Sequence, residues 1–442
     1  MATAYWCEWA WLPSGPVPGV LVEVDGGTIT STSAADDPGT AERLPGLTLP
    51  GIANAHSHAF HRALRGRTSG GKGTFWTWRD QMYRVAARLD PDSYHRLATA
   101  VYAEMALAGI TCVGEFHYLH HAPGGARYGD PNAMSAALVQ AAADAGIRLT
   151  LLDTCYLAGG FGKAVEGVQL RFSDGEPQAW SKRVADFTVD PHRARIGAAV
   201  HSVRAVPAEA ISEVVGWTRE SSAPLHVHLS EQRAENEACL AAHGCTPTQL
   251  LDLHGALGES TTAVHATHLA AGDVALLGGS RTGVCLCPTT EADLADGIGP
   301  APELSVAGSP ISVGSDGHSV IDPFAEVQAV ESYARLSQET RGNFAPASLV
   351  AMATEAGHRS LGWPDAGWIG AGARADLVTL GLDGVRLAGL PPEAAVASAR
   401  ADDVREVIVD GRRVVRDGVH QAVPDVAGRL GEEITALFRD EP

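Results

Sequence analysis

The sequence predicts an α/β fold: a (β/α)8 TIM-like barrel with a small β-sandwich domain built from both chain termini. Three observations predict it. Eight short, apolar, β-rich runs recur along the middle of the chain, and Ala-rich stretches with helical spacing lie between them. Both ends, 1–46 and 371–442, turn instead to short β-like pieces. Alternating β and α units imply a parallel sheet, and eight of them imply closure into a barrel. A doubly wound open sheet is the alternative. No GxGxxG follows the first strand, which weakens it.

Taken in order, the N-terminal segment 1–46 is rich in Gly and Pro and carries a strand-like run at 20–24. The barrel, 47–370, holds candidate strands at 47–55, 111–116, 148–153, 195–200, 224–229, 262–266, 283–287 and 311–314. Helical segments fall at 93–108, 132–145, 208–220, 247–253 and 271–277, with Gly109, Gly146 and Gly278–Gly279 where C-caps belong. In the C-terminal segment, 375–380 reads as a strand. Two runs flanking Asp410-Gly411 read as a hairpin with a type I′ turn. A closing helix is expected over Val426–Phe438, with Gly428 and Gly431 weakening it.

Composition narrows the function. The 442 residues are 45% hydrophobic and 19% charged, a globular profile. Net charge is 33 − 52 = −19. So acidic a surface repels nucleic acid and anionic lipid, and an anionic substrate would need basic groups in its own pocket. The seven cysteines are odd in number and form no CxxC, which argues against a disulfide framework and fits a reducing cytoplasm. The first residues lack a basic segment before an apolar one, so no signal peptide is expected. No run of about 18 apolar residues predicts a membrane span.

The chemistry lies at the strand ends, where barrels of this kind place it. Strand 1 ends in His56-Ser57-His58; alternation in a strand puts both imidazoles on one face. Strand 2 ends in Glu115, His117 and Tyr118, and strand 4 in His201, with Arg204 just after. Strand 5 ends in His228, with Glu231 three residues on; strand 6 carries His265, and strand 8 ends in Asp316. His56, His58, His228 and Asp316 are the expected metal ligands, a set that suits zinc or a similar ion and leaves one position for water. An ion there would lower the pKa of water towards about 7. Glu231 is the expected proton shuttle, and His265 is expected to stabilise the developing tetrahedral centre. His226 is expected to be a core histidine, and at least two of His117, His120 and His121 to be solvated. The Gly-rich 69–74 is a candidate lid.

These residues resemble the amidohydrolase superfamily: HxH on strand 1, His on strands 5 and 6, Asp on strand 8, and a terminal β-sandwich. Members with two metals generally bridge them by a modified lysine at the end of strand 4. Here 194–200 and His201 hold none. With His228-x-x-Glu231, this resembles the single-metal deaminase branch. Within it, several segments are similar to the formimidoylglutamate deiminase family. They are His56-Ser57-His58-Ala59-Phe60, Phe75-Trp76-Thr77-Trp78-Arg79, Glu115-Phe116-His117-Tyr118, His201-Ser202-Val203-Arg204, Val264-His265-Ala266-Thr267-His268 and Gly314-Ser315-Asp316.

That resemblance implies hydrolysis of N-formimino-L-glutamate to N-formyl-L-glutamate and ammonia, in histidine degradation. It implies one Zn²⁺ per chain, or Fe²⁺ or another divalent ion, in a cytoplasmic homodimer. It also implies that Arg79 and Arg204 clamp the two carboxylates of a small dianionic substrate, with Tyr118, His201 and His61 adding hydrogen bonds. His61 stands where the family's Gln is expected; a protonated His61 would make KM rise with pH. A purine or pterin deaminase is the alternative within enzymes, and a barrel that binds without catalysis the alternative outside them.

Overall fold

The computed structural model describes residues 3–68 and 75–439, so the candidate lid 69–74 lies outside the described residues. Four N-terminal strands come first: β1 (Thr3–Leu12), β2 (Gly15–Asp25), β3 (Thr28–Ala34) and β4 (Glu42–Pro50). Eight strands follow: β5 (Ile52–Ser57), β6 (Ile110–His117), β7 (Arg148–Cys155), β8 (Ala194–Val200), β9 (Leu225–Leu229), β10 (Thr261–His265), β11 (Gly283–Leu286) and β12 (Ile311–Val313). They pair in sequence order, each parallel to the next. Almost every residue in them is buried, because helices cover the outside and side chains fill the inside.

Four more strands follow the barrel: β13 (Leu377–Leu380), β14 (Val404–Val409), β15 (Arg412–Arg416) and β16 (Val419–His420). With β1–β4 they form one eight-stranded sheet in the order β16-β15-β14-β13-β4-β1-β2-β3. This sheet curls back on itself. Ile29 N–H donates to the Ala373 carbonyl and Ala375 N–H to the Gly27 carbonyl, each at 2.8 Å. The fold encloses its own core of Tyr5, Cys7, Val22, Ile29, Leu44, Leu377 and Ile408. The Asp410-Gly411 turn joins β14 to β15 as expected, with φ 50° and 69°.

The expected strand over 47–55 is in fact two strands. Leu47–Pro50 pairs with β13 in the terminal sheet, and the barrel strand starts at Ile52. Gly51 is the break: its N–H donates to the Asp376 carbonyl at 2.8 Å, and a Cβ there would come within 2.5 Å of the Thr111 and Asp376 side chains. The closing helix Val426–Phe438 forms. Asp425 caps it, accepting from Gly428 N–H at 2.9 Å, and it packs on the helix Pro91–Leu107.

Candidate metal centre and active site

Closing the barrel builds the site. β12 meets β5 through a parallel bridge between Ser57 and Asp316. Asp316 N–H donates to the His56 carbonyl at 3.0 Å, and His58 N–H to the Asp316 carbonyl at 3.3 Å. That stitching sets Asp316 Oδ1 3.3 Å from both His56 Nε2 and His58 Nε2. His228, on β9, brings its Nε2 to 3.1 Å from His56 Nε2. One atom from each of the four lies within 4.8 Å of the other three, and all four residues are buried.

The hydrogen bonds behind the cluster orient it. His58 Nδ1–H donates to the Phe116 carbonyl at 2.8 Å, and His228 Nδ1–H to the His201 carbonyl at 2.9 Å. Both rings therefore turn an Nε2 lone pair inward. Burial holds His56 and His228 below their ordinary pKa and pushes His58 down to about 3. Neutral imidazoles result. Burial opposes ionisation of Asp316, but His56, His265 and His58 hold it well below the usual carboxylate range. Lone pairs and a carboxylate facing one another in a dry site are costly unless a cation lies among them. The donor set fits a divalent ion of the zinc type.

A carboxylate anchors the strand that carries the first pair. Glu115 Oε1 accepts Ala59 N–H at 2.7 Å and Oε2 accepts the Ser57 hydroxyl at 2.9 Å; Ser57 Oγ also lies 3.0 Å from His318 Nε2. Burial raises its carboxyl to about 7.

Beside the cluster, His265 Nε2 lies 3.9 Å from Glu231 Oε1 and 3.8 Å from Asp316 Oδ2. Burial disfavours charge on His265, but Glu231, Glu291 and Asp316 hold its pKa well above the ordinary value. Burial raises that of Glu231. Backbone strain gathers here: Ser230, His265 and Asp316 have φ of 51°, 70° and 39°. Such outliers accumulate where side chains must be aimed rather than packed.

One pocket opens over this cluster, and His61, Arg79, Tyr118, His201 and Arg204 all line it. Arg204 Nε stands 3.8 Å from Glu235 Oε1, and the Arg79 guanidinium lies 5.4 Å from the Tyr83 ring centre. Tyr156 and Phe172 complete the wall and escaped sequence reasoning. Tyr156 directly follows β7, so reading that strand's end would have found it.

Two expectations need correction. His61 is buried, its Nε2 2.8 Å from the Tyr118 hydroxyl; burial, with His58 adding to it, holds its pKa well below the ordinary value. It is neutral, not a protonated donor. His117, His120 and His121 are all buried rather than solvated. His120 Nε2–H donates to the Thr154 carbonyl at 2.9 Å, and His121 Nε2 lies 3.1 Å from Asp174. The loop after β6 folds under the Asp153–Arg183–Asp174 ion pairs, which no local pattern reveals. His226 is a core histidine as expected, donating to the Ser360 carbonyl at 3.0 Å.

Known proteins resemble this chain in sequence and fold. The sequence pattern of the amidohydrolase family matches residues 47–414. Formimidoylglutamate deiminase of Pseudomonas aeruginosa is 37% identical, covering 95% of this chain and 96% of its own. 8-Oxoguanine deaminase of the same organism is 29% identical, covering 88% and 86%. The crystal structure of an amidohydrolase from Brucella melitensis superposes with a TM-score of 0.90 at 30% identity, over 99% of this chain and 100% of that one. A zinc-bound adenosine deaminase from Xanthomonas campestris, at 20% identity and TM-score 0.84 over 99% and 98%, shares the fold. The chain belongs to the amidohydrolase family. It is a hydrolase acting on C–N bonds, its chemistry is hydrolytic deamination, and His56, His58, His228 and Asp316 could hold a metal ion.

Proposed function

We propose that this enzyme hydrolyses N-formimino-L-glutamate to N-formyl-L-glutamate and ammonia, a step of histidine degradation, using one Zn²⁺ per chain. The observation that carries the reading is the pair Arg79 and Arg204 on the wall of the pocket that contains Glu231 and His265. In a protein of net charge −19, two guanidinium groups over the reacting centre suit a substrate with two carboxylates. The 37% identity to the Pseudomonas deiminase supports it. Seven cysteines, all free and six of them buried, suit the reducing cytoplasm we assign to it.

His56, His58, His228 and Asp316 would hold the ion. A bound divalent ion supplies acidification of a water molecule. Glu231 would serve as the proton shuttle between the attacking water and the departing nitrogen. His265, held by Glu291 at 3.3 Å, steadies the charge that develops as water adds to the formimino carbon. Arg79 and Arg204 fix the glutamate end, while Tyr118, His61 and His201 supply neutral hydrogen bonds.

A purine or pterin substrate is the second reading, favoured by the aromatic wall of Trp78, Tyr83, Tyr118, Tyr156 and Phe172. One experiment separates them: ammonia release from formiminoglutamate beside formiminoaspartate, guanine and adenosine. We expect turnover of formiminoglutamate far above the rest. Arg204→Met should lower its kcat/KM by roughly 2–4 kcal/mol with the metal retained. Preferential turnover of a purine would overturn the reading.

A further inference from the structure

The proposed chemistry uses His265 and Asp316 but not the thiol beside them. Cys287 follows β11 and is fully buried. His265, Cys287 and Asp316 each offer a ligand atom, and the three lie within 4.8 Å of one another. Glu291 fixes two of the three. Its Oε1 accepts Cys287 N–H at 2.9 Å and lies 3.3 Å from His265 Nδ1. With Nδ1 engaged there, His265 turns Nε2 towards Asp316 Oδ2 at 3.8 Å and Glu231 Oε1 at 3.9 Å. The two oxygens of Asp316 therefore face different clusters: Oδ1 faces His56 and His58, and Oδ2 faces His265.

We propose that His265, Cys287 and Asp316 form a second cation site beside the first, selective for thiophilic divalent ions, and that filling it inhibits the enzyme. Thiolate, imidazole and carboxylate together suit Cd²⁺ or excess Zn²⁺ and reject Mg²⁺ and Ca²⁺. Glu231 lies just outside this trio, its Oε1 3.9 Å from His265 Nε2. On binding, the Cys287 S–H and His265 Nε2–H bonds break, sulfur–metal and nitrogen–metal bonds form, and both protons leave to solvent. The site is weaker than the first, because it shares Asp316 and lies close to a like charge. Inhibition follows from geometry. The ion would occupy His265 Nε2, the group assigned to charge stabilisation, and would set its charge beside the Glu231 carboxylate assigned to proton transfer, 3.9 Å from that nitrogen. The inhibition rests on the proposed function, whereas the binding does not.

The test uses enzyme carrying one Zn²⁺ per chain, verified by metal analysis, in a Cys245→Ser background. Cys245 is the one cysteine that is not fully buried, and this change removes its signal. Cd²⁺ is titrated in while sulfur-to-cadmium charge-transfer absorbance and the rate of ammonia release are followed together. We expect a second equivalent to bind, with the absorbance rising as the rate falls. Cys287→Ser should abolish the absorbance and shift the inhibition midpoint on the order of tenfold or more to higher Cd²⁺. Cys285→Ser should leave both in place. Cys287→Ala, checked for folding by circular dichroism, should repeat the Cys287→Ser result. Absorbance that follows Cys285, survives in both Cys287 variants, or appears only as zinc is expelled from the first site would overturn the proposal. If formiminoglutamate is not turned over but the absorbance titration behaves as expected, the substrate reading has failed and the second site stands.

Discussion

Burial raises the Glu231 carboxyl, while His265 and, less strongly, Arg204 pull it down. That balance between holding and releasing a proton is what a shuttle needs. Glu231→Gln keeps the side chain's shape and removes the exchange. Metal content should be unchanged, since Glu231 is not among the four converging ligands. Activity should fall by about 10²–10⁴-fold; a rate near wild type would make the residue structural. His61 is the opposite case. Because burial keeps it neutral, its charge does not change between pH 6 and 9, roughly the working range around an ordinary imidazole. The KM–pH profile should therefore not depend on it. His61→Gln, which preserves a hydrogen bond to Tyr118, should stay active with an unaltered profile. A KM that rises with pH in the wild type and flattens in the variant would restore a charged His61.

Individual elements hold these residues in place, and the short helix Pro288–Leu294 shows how. It presents Glu291 to His265, and Glu326 of the helix Pro323–Gln338 holds its first turn. Glu326 Oε2 accepts Thr289 N–H at 3.0 Å, and Oε1 accepts the Thr289 hydroxyl at 2.5 Å. Burial raises the Glu326 carboxyl to about 8. The folded protein therefore keeps a proton that the unfolded chain, with its ordinary carboxyl near 4.5, has lost. Between those values the folded state binds more protons, so stability falls as pH rises, by up to about 1.4 kcal/mol per pH unit from this one group. Glu326→Gln carries no such proton. The urea midpoints of wild type and variant should diverge from pH 5 to 8 in the variant's favour and run parallel above that; a constant difference would show that Glu326 does not titrate in this window. This helix is not among those the sequence pattern predicts. The strand ends were legible. A period of two and the rule that barrels work at one face put His56, His58, His228, His265 and Asp316 together without any contact information. What escaped depends on long-range packing: the break at Gly51, where Thr111 and Asp376 leave no room for a side chain, and the loop histidines drawn under Arg183.

Across the whole molecule, the barrel and the terminal sheet are joined by a buried ion cluster. Arg148, at the start of β7, forms a two-pronged pair with Asp376, just before β13, and its Nη2 also lies 2.9 Å from Asp410 at the β14–β15 turn. Arg148 and Asp376 are each about 1% exposed. Trp363 packs against the cluster, with the guanidinium of Arg195 4.2 Å and that of Arg374 4.7 Å from its ring centre. Burial pushes the Asp376 carboxyl up, to about 6, against the pull of Arg148, so both partners are charged at neutral pH. Asp376 also accepts Asp410 N–H at 2.9 Å, and its own carbonyl holds Gly51, the residue at which the chain crosses from sheet to barrel. Removing the arginine therefore strands a charge at the seam between the two sheets. Arg148→Met should destabilise the protein by about 3–5 kcal/mol, measured as a lower urea midpoint at pH 8. Adding Asp376→Asn should recover much of that loss, because the stranded charge disappears while the bond to Asp410 N–H can persist. Equal stability of the single and double variants would mean that Asp376 takes up a proton once Arg148 is gone. In that case the arginine serves geometry at the seam rather than charge.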